Sequence, residues 1–183
     1  MGSSQENAVH PIKFNRATFT PSEAAAITGL DVMTQRNLRR HGYLPQAAKG
    51  WTRHSVDDVA KLLLMGVLDK LGLPPSGSSV IAEAHHDKHK QSTAELIGAV
   101  ACNNPCAICD PEGLAHQVKL LDLEIPRYLV VREIEGFSFE GSLQSIEKRS
   151  DSAAAIVVEL PRLAELIVER AGKPLVTVAR YLD

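Results

Sequence analysis

The chain has 183 residues, 44% apolar and 23% charged, with 20 basic against 22 acidic side chains and a formal net charge of −2. That length accommodates one or two small domains with real cores, in the composition of an ordinary globular protein. No stretch approaches the ~20 consecutive apolar residues of a membrane-spanning helix, so no membrane partner is expected.

The opening MGSSQENAVHP lacks the basic start and apolar run of a secretory signal, which points to the cytoplasm. Residues 1–17 read as a flexible polar arm. The net charge hides an asymmetry: residues 1–75 carry nine Lys/Arg against six Asp/Glu, and residues 76–183 carry eleven against sixteen. A basic front can dock on phosphates while an acidic rear stays off them.

The stretch FTPSEAAAITGLDVMTQRNLRRHGYLP, from Phe19, is heavily punctuated. Thr20 supplies a capping hydroxyl, Pro21 a first helical residue and Glu23 the third, so a helix starts there. Gly29 ends it, because glycine tolerates the left-handed backbone of a helix stop. Asp31 caps a second helix, Val32 to Arg40, which Gly42 and Pro45 terminate. Two short helices joined by a glycine turn predict a helix-turn-helix, whose second helix enters the DNA major groove. Val32 and Leu38 are expected to face the core. Thr34, Gln35, Arg36, Asn37, Arg39 and Arg40 are expected outward, offering phosphate neutralisation and base-edge hydrogen bonds. No acid lies between Val32 and Pro45, whereas a face selected only for solubility usually mixes signs.

Lys49-Gly50-Trp51-Thr52-Arg53-His54-Ser55 then reads as a basic, glycine-centred hairpin, and Asp57-Asp58-Val59 opens a third helix to Leu71 with Val59, Leu62, Leu63 and Val67 on one side. In this order the segment Phe19 to Gly72 resembles the MerR-type winged helix, whose pattern runs roughly T-G-V-S-x-x-T-L-R-x-x-E-x-x-G-L-L-P and then G-Y-R-x-Y-S-x-x-D-(L/V). TGLDVMTQRNLRRHGYLP aligns with it without gaps, and GWTRHSVDDV fills the wing. Met33 and Asn37 stand where that family often has arginine and tyrosine, and Gln35 replaces a leucine. The resemblance implies binding of double-stranded DNA, usually as a homodimer. With the residues above it makes Thr20 and the outward residues of the second helix candidate DNA contacts. Lys49, Trp51, Arg53 and His54 are the candidates in the wing, where Trp51 can alternatively anchor the hairpin.

Leu71-Gly72-Leu73-Pro74 breaks the third helix, and Ser78 to about Lys90 reads as a fourth. The family's long coiled coil does not follow, since sustained heptads are absent. Residues 18–100 are thus expected to form the DNA-binding part, and 101–125 a linker containing a cysteine loop. Residues 126–183 suggest a small α/β module. Its expected elements are strands at Arg127–Val131, Phe137–Phe139, Ala155–Leu160 and Leu175–Tyr181, with helices at Ser142–Arg149 and Pro161–Ala171. The fold class expected is α+β. Apolar residues of this module (Ile156, Val157, Val158, Leu163, Leu166, Ile167, Val176, Val178) exceed what a tail needs, so self-association or signal sensing is its expected use, and a fragment ending near Glu124 should fold without it.

Cys102, Cys106 and Cys109 are the only cysteines, spaced C-x3-C-x2-C, and with His116 they could bind zinc or, as thiolates, an iron–sulfur cluster. Three unremarkable cysteines near a helix end are the alternative, because a repeated C-x-x-C pair is missing. His85 and His89 share one face of any helix there, but His85 is not followed by the glutamate of a zinc-protease motif, and a solvated helix end explains them. No nucleophile elbow, phosphate-cradling glycine loop or dinucleotide fingerprint occurs, so an enzyme is not expected. The expected function is a sequence-specific transcriptional regulator. A phage-type excision or packaging factor, or a metal- or redox-responsive regulator using the three cysteines, are the alternatives.

Overall fold

A computed structural model describes residues 12–46, 52–85, 91–110, 112–113, 126–132, 136–147 and 154–180. Lys49, Trp51, His86, His89 and His116 therefore lie outside the described residues. The class is α+β: helices of five to fifteen residues alternate with short strands in three small sheets. No described helix is long and apolar enough to cross a membrane.

Helix α1 (Pro21–Thr28) starts as its sequence dictates. Thr20 Oγ1 accepts from the Glu23 backbone N–H, and the Glu23 carboxylate accepts from the Thr20 N–H at 2.6 Å. Gly29, at φ 76°, closes the helix in the left-handed region. Helix α2 (Val32–Arg40) is capped by Asp31, whose carboxylate accepts from the Thr34 N–H at 2.7 Å. The strand preceding α1, β2 (Thr18–Phe19), pairs antiparallel with β3 (His54–Ser55), which leads directly into α3 (Val56–Lys70) through a Ser55/Asp58 capping box.

Helix α3 is buried on nearly every side, from Val56 through Leu68. It packs against α1, α4 (Pro75–Glu83), α5 (Thr93–Asn103) and α7 (Leu160–Arg170). The crossing with α5 is close at Gly98, where a Cβ would lie 2.2 Å from Asp57 Oδ1 and 3.3 Å from the Asp57 backbone. Asp57 in turn receives a two-pronged bond from Arg16, Nη1 to Oδ2 at 2.9 Å and Nη2 to Oδ1 at 2.6 Å. Lys61, buried within α3, is neutralised by Glu83 of α4.

Strands β5 (Tyr128–Arg132), β6 (Gly136–Glu140) and β7 (Ala155–Glu159) form an antiparallel sheet in the order β6-β5-β7, with the short helix α6 (Leu143–Glu147) after β6. Leu129, Phe139 and Val158 sit side by side on its core face, followed by Val131, Phe137 and Ile156.

Two expectations are corrected by the strand pairing. Ile12–Arg16 is not arm but strand β1, antiparallel to β8 (Val176–Arg180), and β8 lies between β1 and β4 (Ile108–Cys109). β1 was invisible as a strand because it is an edge with four exposed residues of five, which leaves no apolar alternation. The last expected strand of the C-terminal module therefore belongs to a sheet with the front of the chain. The expected linker also differs. Residues to Asn103 belong to α5, and Pro105–Ala107 form a 3-10 turn before β4.

The apolar residues expected to feed self-association are largely internal. Val158, Leu163, Ile167, Leu175, Val176 and Val178 are in one contiguous core with Phe19, Ile27 and Leu62. Polar ties cross the same boundary. Arg170 donates to the Ile27 carbonyl at 2.9 Å, and Lys173 Nζ donates to the Thr18 carbonyl at 3.0 Å and to Glu23 at 2.6 Å while lying 4.6 Å from the Phe19 ring centre. A fragment ending at Glu124 loses all of this. Each large aliphatic side chain so exposed forfeits about 1.5–3 kcal/mol against a total stability of about 5–15 kcal/mol. Contrary to the expectation above, fragment 1–124 should show no cooperative thermal transition by circular dichroism where the full chain shows one; a sharp transition would mean the front half holds itself together.

Candidate functional site

The helix-turn-helix presents its two sides differently. On α2, Met33, Arg36, Asn37 and Arg40 are exposed, whereas Gln35 and Leu38 are buried. At about 100° per residue the first four fall within an arc of roughly 100° and the last two lie opposite. Thr34 and Arg39 are half-buried on the flanks of that arc.

Beside this face is a groove of about 480 Å³, lined by Thr20, Pro21 and Ser22 at the start of α1, Val32 and Arg36 on α2, and Thr52 and Arg53 leading into β3. Val32, expected in the core, lines this groove instead. Arg36 and Arg53 thus converge on one concavity, from two elements brought together because β2 and β3 pair across the base of α1.

The arginines of the fold divide clearly. Arg16 is bound to Asp57, Arg127 to Glu159, Arg132 to Ser138, and Arg162 to Glu165 and Glu169. Arg170 donates to the Ile27 carbonyl, and Arg39 turns its Nε onto the Pro45 carbonyl at 3.0 Å. Arg36, Arg40 and Arg53 have no hydrogen-bond or ion-pair partner among the described residues, and all three belong to the helix-turn-helix and its adjoining strand entry. A guanidinium without a partner among the described residues suits an external anion.

Two expected contacts are corrected. Gln35 is 1% exposed: its Nε2 donates to the carbonyls of Pro21, at 3.0 Å, and Leu30, at 2.9 Å. It pins α2 to the start of α1 and to the turn between them, and a buried amide of this kind is satisfied by such carbonyl acceptors. His54 is also 1% exposed, packed inside β3, and its Nε2 has no hydrogen-bond partner among the described residues. Burial pushes the His54 imidazole below its ordinary value of 6.5, the nearby Arg39 adds to that and Asp58 opposes it. Thr20 is the cap of α1 at the groove's edge, and Thr34 turns toward a small cavity of about 60 Å³ with Leu38, Met65 and Gly66. Met33 was missed as a surface residue; laying α2 on a helical wheel would have placed it with Arg36, Asn37 and Arg40.

The three cysteines do not share a loop. Cys102 is buried on α5, where burial raises its thiol and Arg16 draws it back down, while Cys106 and Cys109 are exposed on the 3-10 turn and β4. No group of three or more His, Cys, Asp or Glu among the described residues is placed to hold a metal ion.

No family model matches the chain, and no curated protein matches it.

The orphaned histidine has a consequence in solution. Its folded-state pKa lies below 6.5, so above pH 6.5 both folded and unfolded chains carry a neutral ring. As pH falls through 6.5 the unfolded chain takes up a proton that the folded chain refuses, and stability is lost until the folded pKa is passed. The urea midpoint should therefore fall more steeply from pH 7.5 to 5 in the native sequence than in His54→Gln. Parallel pH profiles would show that the ring is protonated without hindrance.

Proposed function

We propose that this chain binds double-stranded DNA through α2 and the adjoining groove, and acts as a sequence-specific transcriptional regulator. The observation that carries this is the clustering of Arg36, Arg40 and Arg53, the described guanidinium groups without internal partners, on one side of a helix-turn-helix. Arg36 and Arg53 line a groove open at the start of α1, a concavity suited to a sugar-phosphate backbone, and Arg40 extends the line along α2.

The order of helix, glycine turn, helix, strand and helix is the one the MerR-type resemblance implies, and this supports the same reading. Asp31, the acid nearest this face, is occupied in capping α2. Regulation is favoured over an excision role by charge: residues 76–183 are net acidic, so the chain is not basic throughout and only its front suits DNA.

Arg36 reaches base edges in this arrangement and Arg53 a phosphate. With a duplex selected from a random library by the full chain, Arg36→Ala should cost about 1–3 kcal/mol on the selected duplex and less on random sequence. Arg53→Ala should flatten the plot of log affinity against log salt by roughly one unit on both. Arg162→Ala, which removes a likewise exposed but internally paired charge, should change neither. Fluorescence anisotropy with labelled duplexes reads all three, and failure of the native chain to bind any duplex at low salt would refute the proposal.

A further inference from the structure

One exposed side chain on the α2 face is neither charged nor a hydrogen-bonding group: Met33, 61% exposed. Scattered exposed apolar residues are ordinary, and Val80 and Leu71 elsewhere in this fold need no explanation. Met33 differs in its company. It shares one arc of α2 with Arg36, Asn37 and Arg40, side chains without a hydrogen-bond or ion-pair partner among the described residues.

Its position along the helix matters as much as its face. Met33 is the second residue of α2, and in a helix-turn-helix the N-terminal residues of the second helix meet base edges. The Asp31 carboxylate beside it is held on the Thr34 N–H and so is turned to the helix rather than outward. A thioether cannot donate a hydrogen bond and accepts weakly, so it cannot discriminate guanine or adenine by hydrogen bonding. The major groove offers one apolar mark, the methyl group on C5 of a pyrimidine. Methionine, unbranched and polarizable, adapts to such a contact.

We propose that Met33 reads the C5-methyl group of a pyrimidine, thymine in unmodified DNA, through van der Waals contact in the major groove. This rests on the DNA-binding function proposed above. It gives the chain a sequence preference at a position where an arginine would instead seek guanine.

The test uses the full chain and the library-selected duplex, with each thymine replaced singly by deoxyuridine, which removes the methyl and nothing else. Loss of one buried methyl contact should weaken binding about fourfold at one position of the recognised site. Met33→Ala should be indifferent to that replacement, and a thermal transition by circular dichroism matching that of the native chain shows that the variant is folded. With cytosine at the same position, 5-methylation should strengthen binding by the native chain and leave Met33→Ala unchanged. If no single deoxyuridine weakens the native chain, or if Met33→Ala loses as much as the native chain, Met33 is not the reader. A chain that selects no duplex at all overturns the DNA-binding function itself and this inference with it, an outcome distinct from selection without methyl sensitivity.

Discussion

Helix α3 must be covered on every side, and the rest of the structure follows from that constraint. An amphipathic helix needs one partner, but ten of its residues are buried, so it needs neighbours all around. Helix α1 covers one side, α4 and α5 others, and α7 closes the remainder. Its single buried cation, Lys61, is tolerated because Glu83 reaches it from the water-facing side of α4. Gly98 permits α5 to come close enough to shield the first turn of α3, where a side chain would strike Asp57. The helix-turn-helix is thus mounted on a scaffold that the distant C-terminal half completes.

Much of this was legible in the sequence, and for identifiable reasons. The caps at Thr20, Asp31 and Ser55 and the stop at Gly29 are local events, decided by side-chain hydrogen bonds within three residues or by backbone sterics, so they survive any tertiary context. The strands at Tyr128–Arg132 and Ala155–Glu159 and the helix at Leu160–Arg170 announced themselves by β-branched runs and a proline start. What stayed hidden was pairing between distant segments. Nothing in IKFNR says that it lies beside Val176–Arg180, and nothing local says that Arg170 and Lys173 reach back to α1.

The candidate site was legible in part. A polar residue on a short helix looks like a surface residue until the buried acceptors it must satisfy are known. Nothing local shows that Gln35 turns inward to donate to the carbonyls of Pro21 and Leu30. His54 was drawn into the basic wing by its neighbours, although the pairing of β3 with β2 turns it inward. The cysteine spacing suggests a shared ligand set only if all three lie in one loop of the 101–125 linker. Once the helix continues to Asn103, the first thiol is separated in environment from the other two.

The partnership of β1 with β8 also bears on how the chain acquires its shape. Arg16 lies opposite Val176, and Lys173 grips Glu23 across 150 positions of sequence. Closing a loop of that length costs conformational entropy that no nearby contact offsets in advance, and such long-range pairings slow folding. During synthesis α1 emerges with its punctuation already set, yet the Lys173 clamp on Glu23 follows 150 positions later, as β8 follows its partner β1. Helix α1 is therefore formed in sequence long before the contacts that secure it exist.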